Sequence, residues 1–175
     1  MIIWLNGAFG AGKTTTAAEL VQILPKSTIL DTEEVGIMLR HVRALPRVGD
    51  FQHWPPWRGL VVQTATHLLD YLGGLLVIPQ TVLIEQYWTE IRTGLEKAGV
   101  PLHHFLLHTD QDTLTHRIET DAKGPGSKWR LDHVPKYHEA LPWLRRQAQV
   151  VDSSALTPRQ VAEIVAAKAA PMVAD

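Results

Sequence analysis

Residues 7–14 read GAFGAGKT and match the pattern G-x-x-x-x-G-K-[ST] at every fixed position. Glycines let successive backbone N–H groups turn inward, where they form a nest for an anion. A helix that starts at the lysine adds the positive end of its dipole to the same spot. Lys13 would then reach the outer phosphates of a nucleoside triphosphate, and the Thr14 hydroxyl would ligate Mg²⁺. The candidate contacts are Gly7, Ala8, Phe9, Gly10, Ala11, Gly12, Lys13, Thr14 and Thr15.

Other residues carry chemistry with less specificity. Phe51, Trp54 and Trp57 cluster ahead of Arg58, with Asp50 just before them. Their rings would stack on a base or cover a sugar, and Arg58 would pair with an anion or a carbonyl. Alternatively the rings cap the core, where Trp is usually found. Asp50 is a second candidate for a substrate hydroxyl. His103, His104 and His108 lie in one strand, but no carboxylate stands beside them in sequence, and a metal site is not expected there.

The elements needed to position the loop are legible around it. MIIWLN before it is a buried-strand pattern, and TTTAAELVQIL after it has helical spacing. Further strands are expected at 27–31, 74–80, 103–109 and 148–154. Asp31 and Glu34 are spaced to open a helix over DTEEVGIMLRHV, and Thr109 with Asp112 to open another. Residues 46–58, with three prolines, read as a loop before the helix GLVVQTATHLLDYL. Gly99 ends a helix over 86–98, and Thr157, Pro158 and Gln160 open the last one. Five strands alternating with helices predict an α/β chain with a five-stranded parallel sheet between helical layers, the three-layer P-loop NTPase arrangement. One domain over 1–175 is expected, with a polar, basic, Gly/Pro-rich segment at 121–136 placed as a lid.

Composition narrows the partners. The chain has 175 residues, 45% of them hydrophobic, and 17 basic against 18 acidic side chains give a net charge of −1. That balance argues against a nucleic-acid partner. There is no cysteine, hence no disulfide or thiolate metal site. The first residues lack a basic leader or cleavage site, and no apolar run approaches the ~20 residues that span a bilayer. A soluble, cytoplasmic protein is expected.

A phosphate loop alone does not define a reaction. No N-K-x-D guanine-reading motif is present, nor a transporter signature, and the apolar strand at 74–80 ends in Pro79 and Gln80 where a metal-side aspartate would stand. What remains resembles the small-molecule kinases of the adenylate-kinase-like and shikimate-kinase-like branch. The resemblance is carried by the loop at the start of the chain, by Asp31 ending strand two, and by FLLHTDQDTLTHRI leading through Arg117 to the basic segment. It implies that Arg117 lies near the adenine or the transferring phosphate. It further implies that Lys123, Lys128 and Arg130 close over the phosphates and spread the transition-state charge. Asp31 would act as base or orient the acceptor hydroxyl. The plainer readings are a helix cap for Asp31, a solvated helix residue for Arg117, and ordinary loop charges for the lid cations.

In detail, IIWLNGAFGAGKT, LDTEEVGIMLR, DFQHWPPWR, LLVIPQT and HHFLL resemble the bacterial tunicamycin-resistance ATP-binding protein family. WLNGAFGAGKT and the D-x-E-x-x-G-x-x-L-R run at 31–40 carry most of the specificity. The resemblance implies ATP binding with Mg²⁺ and protection against tunicamycin, a nucleoside antibiotic. It also implies a basic amphipathic C-terminal helix at the membrane. Here the tail PRQVAEIVAAKAAPMVAD offers only Arg159 and Lys168 as cations, so it reads as a sheet-packing helix instead. Three activities fit: an ATP-dependent phosphotransferase acting on a small hydroxylated molecule such as this antibiotic, a protein that sequesters it without chemistry, and a housekeeping sugar or nucleoside kinase.

Overall fold

The computed structural model describes residues 1–121 and 127–169. The strands are β1 (Ile2–Asn6), β2 (Ser27–Ile29), β3 (Leu75–Pro79), β4 (Leu102–His108) and β5 (Gln149–Asp152). The helices are α1 (Lys13–Ile23), α2 (Glu33–Arg40), α3 (Pro55–Leu72), α4 (Glu85–Lys97), α5 (Gln111–Glu119), α6 (Lys128–Leu131), α7 (Val134–Gln147) and α8 (Pro158–Ala169). All strand pairs are parallel, in the order β2-β3-β1-β4-β5.

This order sets which face each helix covers. The step from β1 to β2 runs one way across the sheet, and every later step runs the other way. Right-handed crossovers then put α1 on one face and α3, α4 and α7 on the opposite one. α8 returns to pack along α1. Covered on both sides, β1 is buried at all five residues, which is why its sequence runs apolar without alternation. The loop after β1 opens where the strand order reverses, the place where sheets of this kind hold ligands.

Trp4 of β1 faces α4 and meets Trp88 edge-on at 5.2 Å, while its indole N–H donates to Gln80 O at 3.0 Å. Gly99 follows α4 at φ +70°, as the sequence predicts. The Thr157–Gln160 cap also forms, with Thr157 N–H donating to Gln160 Oε1 at 2.9 Å.

Several boundaries differ from the sequence reading. α3 begins at Pro55, because a proline costs nothing in the first turn of a helix, and a 3₁₀ turn occupies Phe51–His53 before it. α2 is capped at Thr32 rather than Asp31, and α5 at Asp110, whose Oδ1 accepts from Thr113 N–H at 2.9 Å. Among the described residues of the segment expected as a lid, α6 and the start of α7 are helical. Among the described residues no helix is long and apolar enough to cross a membrane.

Candidate functional site: a phosphate loop facing an acidic helix start

Asn6, the last residue of β1, holds the loop at its root. Its Oδ1 accepts from Gly7 N–H at 2.8 Å and from Val82 N–H at 2.9 Å, and its Nδ2 donates to Val82 O at 2.9 Å. The loop leaves the sheet at Gly7, with φ +144°, where a Cβ would stand 2.5 Å from Leu107 O. Only glycine fits that approach. Thr81 just past β3 clamps the same residue, its hydroxyl donating to Gly7 O at 2.8 Å.

Lys13 opens α1 and folds back over the loop. Its Nζ donates to Ala8 O at 2.8 Å and Gly7 O at 3.2 Å. Burial lowers its pKa from the usual lysine range to about 7, the Glu33 carboxylate working against that shift and Arg130 with it. An ammonium held over the loop by two carbonyls, at the start of a helix, is placed to meet an anion. A polyphosphate fits it. Thr14 is exposed in the first turn of α1, where its hydroxyl would ligate Mg²⁺, and the Thr15 hydroxyl donates to Gly12 O at 2.9 Å.

Across the cleft stands the start of α2. Asp31 is exposed and accepts from Glu33 N–H at 2.9 Å, an Asx turn that fixes the carboxylate at the mouth. The sequence reading singled out Asp31 and passed over Glu33. Yet Glu33 is the carboxylate whose charge reaches Lys13 and Arg130. Its pKa is raised by burial, and then by the Asp31 and Asp50 carboxylates, while Lys13 and Arg130 pull it down. The signal was legible as D-x-E, two carboxylates two residues apart at a helix start.

On the opposite flank, Arg117 packs its stem beside Gly10 and sends its guanidinium to Ser153 O at 3.1 Å and Ser154 O at 3.2 Å. It therefore links α5 to the loop after β5 at the edge of the phosphate site, beyond the reach of a solvated surface residue. Lys123 lies outside the described residues. Lys128 is exposed and paired with Asp132 at 2.8 Å. Arg130 pairs with Asp121 and its charge is felt at Lys13 and Glu33. Trp129 of α6 stacks edge-on against Phe9 at 4.8 Å and on the His133 ring at 4.2 Å, laying the lid helix on the phosphate loop.

Between lid, loop and α4 lies a cavity of about 250 Å³ lined by Phe9, Asp50, Thr81, Tyr87, Trp129 and His133, among others. The tryptophans read as its aromatic wall are elsewhere. Trp57 is fully buried with its N–H on Thr32 O, and Trp54 is buried with its N–H on Pro46 O. Arg58 is equally committed: it is buried over the Tyr87 ring and paired with Glu90 at 2.6 Å. Glu90 is thus a structural partner of Arg58. The rings that do reach the cavity are Phe9, Tyr87 and Trp129.

The histidines are separated by their own partners. His104 donates from Nδ1 to Gln147 O at 2.9 Å, and Asn6 Nδ2 stands 3.4 Å from its Nε2. His108 lies between Tyr137 and Arg145, at 2.7 and 3.2 Å. Among the described residues no group of three His, Cys, Asp or Glu side chains is placed to hold a metal ion.

A five-stranded parallel sheet with a glycine loop opening α1 defines a P-loop domain of the kinase-like kind. The AAA domain family model matches residues 2–132. The chain is 31% identical to the tunicamycin resistance protein of Deinococcus radiodurans over 95% of its own length and 94% of that chain, with a TM-score of 0.79. It belongs to the family of bacterial tunicamycin-resistance proteins, within the P-loop kinase-like fold. A gluconokinase from Sinorhizobium meliloti shares the fold at 15% identity and TM-score 0.67, covering 98% of this chain and 92% of that one. So does a shikimate kinase from Acinetobacter baumannii, at 17% identity and TM-score 0.64 over 99% and 95%. No curated protein matches the chain in sequence.

Proposed function

We propose that the chain transfers a phosphoryl group from ATP to a hydroxyl of a small molecule, and that a nucleoside antibiotic of the tunicamycin type is an acceptor. The carrying observation is Lys13 folded over a complete phosphate loop, with a ring-lined cavity beside it and the Glu33 charge felt at the same ammonium. Backbone amides of Gly7–Thr14 would cradle the β- and γ-phosphates, and Lys13 would leave the loop carbonyls for them. Thr14 would hold Mg²⁺, which supplies charge neutralisation on the phosphates when bound.

Glu33 would take the acceptor proton as the new oxygen–phosphorus bond forms and the bond to ADP breaks. Burial and the Asp31 and Asp50 carboxylates raise its pKa, which makes it a stronger base than a free carboxylate. Asp31 would hold Glu33 in register through its N–H. Arg130 and Arg117 would bear on the phosphates from lid and flank. That the Deinococcus radiodurans relative is a tunicamycin resistance protein supports the choice of antibiotic.

One observation favours a second reading, sequestration without chemistry: the position after β3 holds neutral Gln80 where a metal-side aspartate would be expected. Incubation with Mg·ATP and tunicamycin decides. Stoichiometric ADP and a drug heavier by one phosphoryl group support transfer; drug protection in cells with neither product supports sequestration. Asp31→Asn with ATP binding intact separates them again, since lost protection marks chemistry.

A further inference from the structure

At the end of the sheet away from the phosphate loop, a groove of about 700 Å³ opens where β4 and β5 begin. Trp88 and Arg92 of α4, His103 and His104 of β4, and Arg146 and Gln147 of α7 contribute to its wall. Among the described residues, five buried side-chain polar atoms have no hydrogen-bond partner. Four of the five belong to this wall: Trp88 Nε1, Arg92 Nε, His103 Nε2 and Gln147 Oε1. Packing scatters these defects, so their concentration around one groove marks a place built for a ligand.

The wall also has a charge. Arg92 and Arg146 stand against one lining carboxylate, Glu96, which Arg92 Nη1 already occupies at 2.7 Å. Arg146 reaches Glu85 only at 3.3 Å. Burial lowers the pKa of both His103 and His104, so the two rings are neutral near pH 7. Val100, Pro101 and Leu102 supply an apolar floor. Two guanidinium groups, an indole N–H and an apolar floor select an organic molecule with an anionic head.

The groove is wired to the nucleotide end. The His104 ring stacks on Trp88 at 3.8 Å and bonds Gln147 O, and its other nitrogen lies beside the Asn6 amide that holds the Gly7 N–H. We propose that this groove is an effector site for a small organic carboxylate or phosphate ester, felt at the phosphate loop through His104 and Asn6. A molecule that draws on Trp88 and Gln147 moves the ring that braces Asn6, and with it the first amide of the loop.

Succinate and glycerol phosphate are the probes. Titrated into the full chain without nucleotide, they should move the Trp88 indole N–H resonance saturably. Arg92→Gln/Arg146→Gln should weaken that binding roughly tenfold, as expected for lost charge-assisted hydrogen bonds. Saturation should change ADP affinity at least twofold in the natural chain and leave it unchanged in the double variant. Arg146 is the more exposed of the two, so Arg146→Gln alone, which should also weaken binding, keeps the test if the double variant fails to fold. The inference is overturned if the indole resonance stays put with both probes, if it exchanges with water alone, if the double variant binds as well, or if ADP affinity ignores the probes. The coupling arm rests on nucleotide binding at the loop. The indole titration does not, so failure of ADP to bind would count against the proposed function and leave the groove to its own readout.

Discussion

The Thr32 hydroxyl donates to the Gln80 side-chain oxygen at 2.7 Å, joining the cap of α2 to the end of β3. Both residues are buried, and the Gln80 amide also donates to Thr81 O at 3.1 Å. A neutral amide at this position therefore holds the acidic helix start in place rather than contributing charge. Gln80→Ala leaves the Thr32 hydroxyl buried and unpaired, at a cost of about 1–3 kcal/mol. Urea denaturation should show a lower midpoint with an unchanged slope, which marks lost stability without a change in the surface exposed.

Lys13 makes nucleotide affinity depend on pH. In the free chain burial lowers its pKa to about 7, whereas a bound polyphosphate favours the charged ammonium and raises it. Above that pH, binding must take up a proton; below it, the proton is already present. Affinity for ADP should be flat below pH 7 and fall by up to about tenfold per unit above it. Calorimetry at pH 8 in two buffers of different ionisation enthalpy should register the uptake. Lys13→Ala should abolish both the uptake and most of the affinity.

Glu33→Gln tests the carboxylate facing that lysine. If Glu33 takes the acceptor proton, kcat for phosphoryl transfer should drop about 10²–10⁴-fold with little change in ATP affinity. The Glu33 charge also supports the Lys13 ammonium. Removing it should therefore move the onset of the affinity loss to lower pH, a readout independent of turnover.

How legible the site was depended on whether its signals were local. The loop and β1 read directly, because G-x-x-x-x-G-K-T and a strand buried on both faces are patterns within a dozen residues. The α7 helix did not, because Pro135 and Pro142 punctuate it; yet Val134, Tyr137, Leu141 and Leu144 recur at helical spacing, and Pro135 sits harmlessly in its first turn. The fate of Trp54, Trp57 and Arg58 was illegible, because ring density does not say which way rings face. Arg58 finds Glu90 32 residues away, a pairing created only when α3 packs on α4.

That pairing gives its own prediction. Arg58 is buried, holds Gln52 O through Nη1 and Glu90 through Nε, and lies 4.1 Å from the centre of the Tyr87 ring. Arg58→Ala removes this bridge between α3, α4 and the 3₁₀ turn beside the cavity. It should destabilise by about 1–3 kcal/mol, since Gln52 O loses its donor and the packing on Tyr87 is lost, while the exposed Glu90 returns to water. The lowered thermal midpoint should be seen with and without acceptor, which separates a structural arginine from a substrate contact.

His104 should make the fold acid-sensitive. It is buried between Trp88, Gln147 O and Asn6, and burial lowers its pKa to about 4 against 6.5 for a free histidine. Between those values the unfolded chain binds a proton that the folded chain refuses, so stability rises with pH across the window and is lost as pH falls through it. The span corresponds to about 3 kcal/mol at most. His104→Gln cannot take up that proton, so its urea midpoint should decline less between pH 6.5 and 4 than that of the natural chain. Equal slopes would mean that the acid sensitivity comes from another group.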